Sequence, residues 1–260
     1  MMQTPARVAS MPFGPVLRSA VFLLLQLLVT VPYALLAMLT FPFPPRRRYH
    51  IIMGWCRVNV RMIHTILGIN WKIEGWENLP SRPAVILAKH QSALETILFP
   101  VLFPPQSFVL KRELHWLPFF GWGLAMLPMI AIDRSRGADA MTQVKLEGAK
   151  RLAEGWWVSV YPEGTRMPVG GRRRYKLGGA TLATHAGAPV VPVALNTGEL
   201  WPRRAFIKYP GEALIIIGPA IETAGRKPEE VSAEVEAWIE NTMRARFPHH
   251  YLREAQTVTV

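Results

Sequence analysis

The sequence is poor in cysteine and in acidic residues, and both shortages exclude classes of protein. Among 260 residues the single cysteine is Cys56, which excludes a framework of internal disulfides and a zinc site built from several cysteines. Aspartate and glutamate number 18 against 30 lysines and arginines, so the formal net charge is +12. A charge of this sign predicts an anionic partner: nucleic acid, a substrate that bears phosphate, or an anionic membrane surface.

Charge is absent altogether from a long N-terminal run. No charged residue lies between Ser19 and Pro45, and most residues there are Leu, Val, Ala or Phe. About 20 such residues suffice to cross the hydrocarbon core of a bilayer, and the run is too long for a typical signal peptide. Arginines at 46–48 follow at once, which is typical of a cytoplasmic or headgroup-level end. Residues 19–41 therefore predict a transmembrane or re-entrant helix, with a buried core helix as the alternative.

Residues 49–69 predict a second helix, amphipathic and lying at the membrane interface. Arg57 and Arg61 are four apart and share one helical face among apolar residues. A surface helix packed on the soluble domain is an equally good interpretation. We expect Cys56 to be a structural thiol, because no base lies near it in sequence. Residues 1–70 together predict a membrane anchor.

From 71 to 250 short apolar runs alternate with polar helical stretches, which indicates an α/β domain. Strands are predicted at 84–88, 108–110, 129–132, 158–161, 190–194 and 213–217, and helices at 92–102, 137–154, 177–186 and 228–246. Several of the strands are continuously apolar, as strands covered on both faces are. The predicted fold is a mixed, largely parallel sheet covered by helices, after an N-terminal membrane-associated helical segment. Residues 251–260 are predicted to form a frayed tail.

A histidine and a glutamate follow the first predicted strand. His90 comes directly after the strand, and Glu95 lies in the first turns of the next helix. The carboxyl ends of strands border the ligand crevice in open α/β sheets; a histidine there can accept a proton, and Glu95 can orient its imidazole. Five residues is not a same-face spacing on a helix, however. Taken alone, the pair is better explained as solvated or capping residues.

Two more predicted strands end in charged residues. Asp133 and Arg134 follow the third, and the turn Tyr-Pro-Glu-Gly-Thr-Arg at 161–166 follows the fourth. Proline and glycine force that turn, which would aim Arg166 into the same crevice. A guanidinium suits phosphate oxygens, and backbone N–H groups beside Gly164 would add to it. A tight turn with a surface ion pair is the alternative.

Several motifs of other chemistries are missing. Ser92 is not in a Gly-x-Ser-x-Gly elbow, because His90 and Leu94 occupy the flanking positions, and we expect it to cap a helix. There is no His-Glu-x-x-His pattern, and the adjacent His249 and His250 are expected to be solvated. No nucleic-acid motif is recognisable, and the aromatic residues concentrate in apolar segments.

Four blocks together resemble the ordered motifs of the PlsC-type glycerolipid acyltransferases, which are 1-acyl-glycerol-3-phosphate acyltransferases. The blocks are A-K-H-Q-S-A-L-E-T, A-I-D-R, Y-P-E-G-T-R and V-P-V-A-L, and the resemblance covers roughly residues 70–220. The family's first block is usually Asn-His-x4-Asp. Here Lys89 replaces the asparagine and Glu95 the aspartate, which keeps a carboxylate but lengthens it by one methylene.

The resemblance implies direct acyl transfer, with no metal, no cofactor and no covalent acyl-enzyme. His90 would remove the proton from the sn-2 hydroxyl of lysophosphatidate, and Glu95 would orient His90. An acyl thioester of coenzyme A or of acyl carrier protein would be the co-substrate. Substrate-binding residues implied by the family blocks are Arg134, Glu163, Gly164, Thr165 and Arg166, and the resemblance adds Lys111, which matches a basic position in the family.

The expected partners are these lipid and thioester substrates, an anionic membrane and, as a candidate, acyl carrier protein, with no nucleic acid. The expected location is the bacterial inner membrane, with the catalytic domain on the cytoplasmic side. One alternative is a sibling acyltransferase that acts on glycerol 3-phosphate or a lyso-aminolipid. The alternative from a different class is a non-catalytic basic protein that binds membranes or nucleic acid.

Overall fold

A computed structural model describes residues 13–251 of the chain. Except for Tyr251, the predicted tail lies outside the described residues. The α-helices are α1 (Phe13–Leu39), α2 (Pro45–Ile52), α3 (Gly54–Met62), α4 (Leu94–Leu102), α5 (Phe120–Ala125), α6 (Ala138–Ala153), α7 (Gly178–Ala186), α8 (Thr197–Leu200) and α9 (Pro228–Arg246). The strands are β1 (Ile69–Glu74), β2 (Val85–Ala88), β3 (Gln106–Lys111), β4 (Ile130–Ile132), β5 (Trp157–Val160), β6 (Val190–Leu195) and β7 (Gly211–Ile217).

The strands form one seven-stranded sheet in the order β1-β7-β6-β2-β5-β3-β4. Every neighbouring pair is parallel except β6 and β7, which are antiparallel. The predicted mixed, largely parallel sheet is therefore confirmed. Strands β2, β5 and β6 are buried at every residue, because helices cover both faces of the sheet.

All six predicted strands and four predicted helices are present, and β1 is the strand that sequence reasoning missed. It lies at the edge of the sheet, where apolar Ile69, Trp71 and Ile73 alternate with polar residues. Sequence reasoning does not detect this alternation because the preceding apolar run predicts a helix that continues to residue 69. In the structure Gly68 ends that run with a φ of 68°, a left-handed conformation that glycine adopts without strain.

The structure also divides the predicted helix over 49–69 into α2, α3 and a π-helical turn at Ile63–Leu67. The division falls beside Gly54, where an added Cβ would lie 3.0 Å from the hydroxyl oxygen of Tyr33. Val60 and Leu67 are buried with Leu98 of α4, which favours packing on the domain over a free interfacial helix. Cys56 is also buried, and burial raises the pKa of its thiol to about 12, as suits a structural residue.

Helix α1 contacts the domain with one face and exposes the other. Phe22 and Ala37 are buried, while Gln26 Nε2 donates to Asn59 Oδ1 at 2.8 Å. The opposite face exposes apolar side chains, among them Leu24, Leu27, Leu28, Leu35 and Leu39. Residues 14–39 are apolar and long enough to cross a membrane, and 17% of their most apolar window is buried. A core helix would be mostly buried, so this alternative does not fit.

Two apolar layers enclose the sheet. Helices α6, α7 and α9 pack on one face, through residues such as Val144, Leu182 and Val235. Helices α3 and α4, with part of α1, pack on the other face. The loops after β6, β2, β5, β3 and β4 consequently emerge at one edge, between these layers.

Candidate active site

The predicted site residues follow neighbouring parallel strands. His90 comes after β2, the turn at 161–166 after β5, Lys111 ends β3, and Arg134 comes after β4. These four strands are adjacent and parallel. Their carboxyl ends therefore meet at one edge of the sheet, as the crevice interpretation requires.

His90 and Glu95 form a hydrogen-bonded pair at this edge. His90 Nδ1 lies 2.9 Å from Glu95 Oε1. The Glu95 carboxylate is fully buried, whereas the His90 side chain keeps 13% of its surface exposed. With Nδ1–H donating to the carboxylate, the neutral imidazole leaves Nε2 as its basic nitrogen. The spacing that sequence alone could not interpret works because His90 lies in the loop before α4.

The Glu95 carboxylate also accepts hydrogen bonds from groups other than His90. Its Oε1 also accepts hydrogen bonds from the backbone amides of Gln91 and Ser92, at 2.8 and 2.7 Å. These amides precede α4, where a helix leaves N–H groups without intrahelical partners. The glutamate therefore fixes the loop and the imidazole together. Its Oε2 accepts from Thr197 Oγ1 at 2.6 Å.

Thr197 was missed by sequence reasoning. It is fully buried and begins α8, directly after β6. The signal that could have found it is its position two residues after the V-P-V-A-L block, at another parallel strand end. Its hydroxyl satisfies the Glu95 oxygen that faces away from His90.

Tyr161 supports the imidazole from one face. The two rings stack with centroids 3.9 Å apart and planes inclined by 14°. Burial and the Glu95 carboxylate raise the pKa of Tyr161 well above its usual value, and the positive charge of Arg166 opposes them. Tyr161 is therefore a neutral packing partner that holds the ring plane of His90.

A buried ionic cluster lies beneath the His90 loop. The Lys89 ammonium is fully buried, 2.7 Å from Glu163 Oε1 and 2.8 Å from Glu240 Oε1 of α9. Burial disfavours its charged form, but the two carboxylates outweigh burial and raise the pKa of Lys89. Tyr175 donates to the same Glu240 oxygen at 3.1 Å. The replacement of the family's asparagine by lysine is thus matched by a glutamate far away in sequence.

Glu163 connects this cluster to the loop that carries His90. Its Oε2 accepts from the backbone N–H of His90 at 2.8 Å. Burial raises the pKa of the Glu163 carboxyl to about 7, even with Lys89 beside it. Its side chain has no exposed surface, so the contacts observed are those of a residue that holds the loop. Its predicted substrate-binding role stays a prediction.

The rest of the 161–166 turn lies beside the histidine. Gly164 has a φ of 69°, and its N–H donates to the carbonyl of Tyr161 at 2.9 Å. Thr165 and Arg166 are half-buried. The chain then returns to the first loop, because Met167 N–H donates to the His90 carbonyl at 2.7 Å. This brings Arg166 to the edge where His90 lies, as the sequence predicted.

The remaining two predicted site residues are Lys111 and Arg134. Lys111 is exposed at the end of β3. Arg134 begins a short 3-10 helix after β4, and its side chain lies outside the described part of the chain. Their assignment to substrate binding stays a prediction.

A second polar cluster joins the C-terminal turn to α8. His249 Nε2 lies 3.1 Å from Glu199 Oε1, and His250 Nε2 contacts the same oxygen. Burial opposes ionisation, but the histidines outweigh it and lower the pKa of Glu199. The expectation that both histidines are solvated is wrong for His250, whose side chain is 2% exposed because its ring stacks on Phe247.

The sequence of the chain matches the family described as Acyltransferase over residues 70–196. A 1-acyl-sn-glycerol-3-phosphate acyltransferase from Pseudomonas aeruginosa is 44% identical over 205 residues, which cover 78% of this chain and 79% of that relative. The chain belongs to the 1-acyl-sn-glycerol-3-phosphate acyltransferase family. It is therefore an acyltransferase of phospholipid biosynthesis, as the four blocks predicted, and not a non-catalytic binder.

Other comparisons agree with this family assignment. The chloroplastic 1-acyl-sn-glycerol-3-phosphate acyltransferase of Arabidopsis thaliana is 31% identical over 236 residues, covering 86% of this chain and 61% of the relative. The fold is similar to the crystal structure of the 1-acyl-sn-glycerophosphate acyltransferase PlsC from Thermotoga maritima. That structure has a TM-score of 0.75 and 23% identity, and covers 89% of this chain and 95% of its own.

Proposed function

We propose that this acyltransferase moves a fatty acyl group from an acyl thioester to the sn-2 hydroxyl of 1-acyl-glycerol-3-phosphate, giving phosphatidate, with His90 as general base. The observation that carries the proposal is the His90–Glu95 pair at the edge where the basic turn also lies. A hydroxyl is a weak nucleophile until a positioned base accepts its proton. No serine or cysteine nucleophile is needed for direct attack.

The proton transfer uses the two imidazole nitrogens differently. Nδ1 remains bonded to Glu95 Oε1 at 2.9 Å, and Nε2 takes the proton of the acceptor hydroxyl as its oxygen attacks the thioester carbonyl carbon. The carboxylate stabilises the imidazolium that forms. When the tetrahedral intermediate collapses, the carbon–sulfur bond breaks and the leaving thiolate receives that proton from Nε2. The stacked Tyr161 ring limits tilting of the imidazole during both steps.

The acceptor phosphate is assigned to basic residues that follow or end the strands at the same edge. Arg166, Arg134 and Lys111 follow or end neighbouring strands. A guanidinium can donate two parallel hydrogen bonds to phosphate oxygens. Gly164 and Thr165 supply backbone of a tight turn, which suits close approach of an anion. Glu163 contributes by fixing the loop that carries His90.

The membrane setting follows from the chemistry of the substrate. Lysophosphatidate has a phosphate head and one acyl tail, and α1 exposes leucines along its outer face. A lipid-facing helix beside the domain would let the acceptor reach the cleft without full transfer into water. We assign the protein to the bacterial inner membrane with its catalytic domain on the cytoplasmic side, and the donor to coenzyme A or acyl carrier protein.

The test measures thiol release from acyl-CoA and, separately, from acyl carrier protein. Acceptors are lysophosphatidate, glycerol 3-phosphate and a lyso-aminolipid, so that a sibling specificity would be visible. His90→Ala should lower kcat by about 10²–10⁴-fold, the range of general base catalysis. The matched control is His185→Ala, because His185 is exposed on α7. A folded, membrane-bound His90→Ala protein with wild-type turnover would refute the base assignment.

A further inference from the structure

A cavity of about 400 Å³ lies away from the catalytic edge. Its walls include Pro128, just before β4, and Trp156, just before β5. The cavity therefore opens near the amino ends of the strands, whereas His90 lies at their carboxyl ends. The remaining lining residues are Pro45, Arg46, Arg48, Leu127, Arg151 and Glu154.

The cavity has an excess of positive charge. Arg46, Arg48 and Arg151 line it against one carboxylate, Glu154. Arg151 Nη1 pairs with Glu154 Oε2 at 3.2 Å. Arg48 Nε is buried and has no hydrogen-bond partner among the described residues. A buried donor without an acceptor is costly, so an oxygen atom of a bound anion or of water would stabilise this nitrogen in the half-buried side chain of Arg48.

The arginines are held in place rather than free on the surface. The Arg46 guanidinium lies 4.6 Å from the centroid of the Trp156 ring, and its Nη2 donates to the Glu154 carbonyl at 3.2 Å. Arg151 Nε donates to the Pro128 carbonyl at 3.0 Å. Gly155 has a φ of 83°, and an added Cβ there would lie 2.7 Å from Arg46 Nη2. The backbone thus leaves room for the guanidinium.

The cavity is next to the end of the apolar helix. Ala37 of α1 shares a hydrophobic cluster with Leu127 and Trp156, two walls of the cavity. Leu39, the last residue of α1, is 74% exposed, and Phe41 in the following turn is 73% exposed. Exposed apolar side chains beside arginines are typical of the level at which lipid headgroups begin.

We propose that this cavity binds the phosphate group of an anionic phospholipid headgroup, at a site separate from the catalytic cleft. Guanidinium groups bind phosphate through paired, charge-assisted hydrogen bonds. The acceptor for Arg48 Nε would be a phosphate oxygen, and Arg46 and Arg151 would neutralise the charge. The headgroup would fix the protein on the membrane where α1 ends.

The test is thermal unfolding of the purified full chain in neutral detergent micelles. Phosphatidylglycerol is the probe, and phosphatidylcholine, glycerol 3-phosphate and inorganic phosphate are separate arms. Wild type should gain roughly 5–10 °C in Tm at a lipid concentration about 100 times Kd. Arg48→Gln should lose the shift. The matched control is Arg47→Gln, which removes the same charge from the same helix, because Arg47 lies over the Phe43 ring and outside the cavity.

Each outcome of this experiment either supports or overturns the proposal. A shift with phosphatidylglycerol that survives in Arg47→Gln and disappears in Arg48→Gln supports it. Equal losses in both variants would mean diffuse surface charge and overturn it, as would the absence of any shift in wild type. An equal shift with inorganic phosphate or glycerol 3-phosphate would overturn the lipid assignment. If Arg48→Gln does not fold, Arg151→Gln removes a cation from the other side of the same cavity and must abolish the shift.

Discussion

Replacing Lys89 by methionine is the most direct perturbation of the buried ionic cluster beneath the His90 loop. Methionine keeps most of the length of lysine but carries no charge. In the wild-type protein the ammonium lies 2.7 Å from Glu163 and 2.8 Å from Glu240, with no exposed surface on Lys89 or Glu163 and 4% on Glu240. The variant would leave two buried carboxylates without their cation.

The expected loss of stability follows from the two carboxylates that remain buried without a cation. Breaking a buried ion pair by removing one partner costs about 3–5 kcal/mol, because the other charge is left uncompensated. In a chain of this size 1 kcal/mol changes Tm by about 2–4 °C, so we expect Lys89→Met to lower Tm by roughly 6–20 °C. Because Glu163 holds the His90 amide at 2.8 Å, kcat should fall while KM for the acceptor changes little.

The assay is a double-mutant cycle read by Tm and by thiol release. Glu240→Gln alone should be mild, since Lys89 still pairs with Glu163. Combined with Lys89→Met, it removes one of the two orphaned charges and should recover part of the lost stability and kcat. A Lys89→Met protein with wild-type Tm, or a double variant no better than Lys89→Met, would refute the ionic interpretation.

Two further predictions concern the cleft. Arg166→Ala should raise KM for lysophosphatidate at least tenfold with KM for the thioester unchanged, by steady-state kinetics with each substrate varied; unchanged acceptor kinetics would remove Arg166 from the phosphate site. Thr197→Val removes the 2.6 Å hydrogen bond to Glu95, and a hydrogen bond to a charged group contributes about 1.5–3 kcal/mol. We expect the free energy of unfolding to fall by about that amount and kcat to fall at constant KM, and a wild-type kcat would contradict the role given to this hydroxyl.

The pair of His90 and Glu95 shows how much of the candidate site could be predicted from local sequence. The apolar run before His90 predicted a buried strand, and the helical pattern after it predicted α4, so the position of His90 in the loop between them was determined locally. The contact between His90 and Glu95 depends on that loop, so it could be predicted from the sequence. The second oxygen of Glu95 binds Thr197. The position of Thr197 after a strand is visible in the sequence, but its contact with Glu95 is not, because β2 and β6 become neighbours only in the assembled sheet.

The apolar N-terminal helix shows the same division between what the sequence predicts and what the tertiary structure adds. The uncharged run predicted an apolar helix, and α1 is present. Its length alone did not indicate that Phe22 and Ala37 would be buried against the domain. Likewise, the arginines at 46–48 were predicted to lie near headgroups, but the sequence could not distinguish Arg48, whose Nε is buried, from Arg47, which lies over Phe43.

By itself, the sequence determined six of the seven strands, the helices α4, α6, α7 and α9, the three charged strand ends and the family that their spacing resembles. These features depend on neighbours within about ten residues, where periodicity and turn residues act. Only the tertiary structure decided why lysine stands where the family usually has asparagine. Lys89 and Glu240 are 151 residues apart, and a buried ammonium is tolerable only where folding brings carboxylates to it.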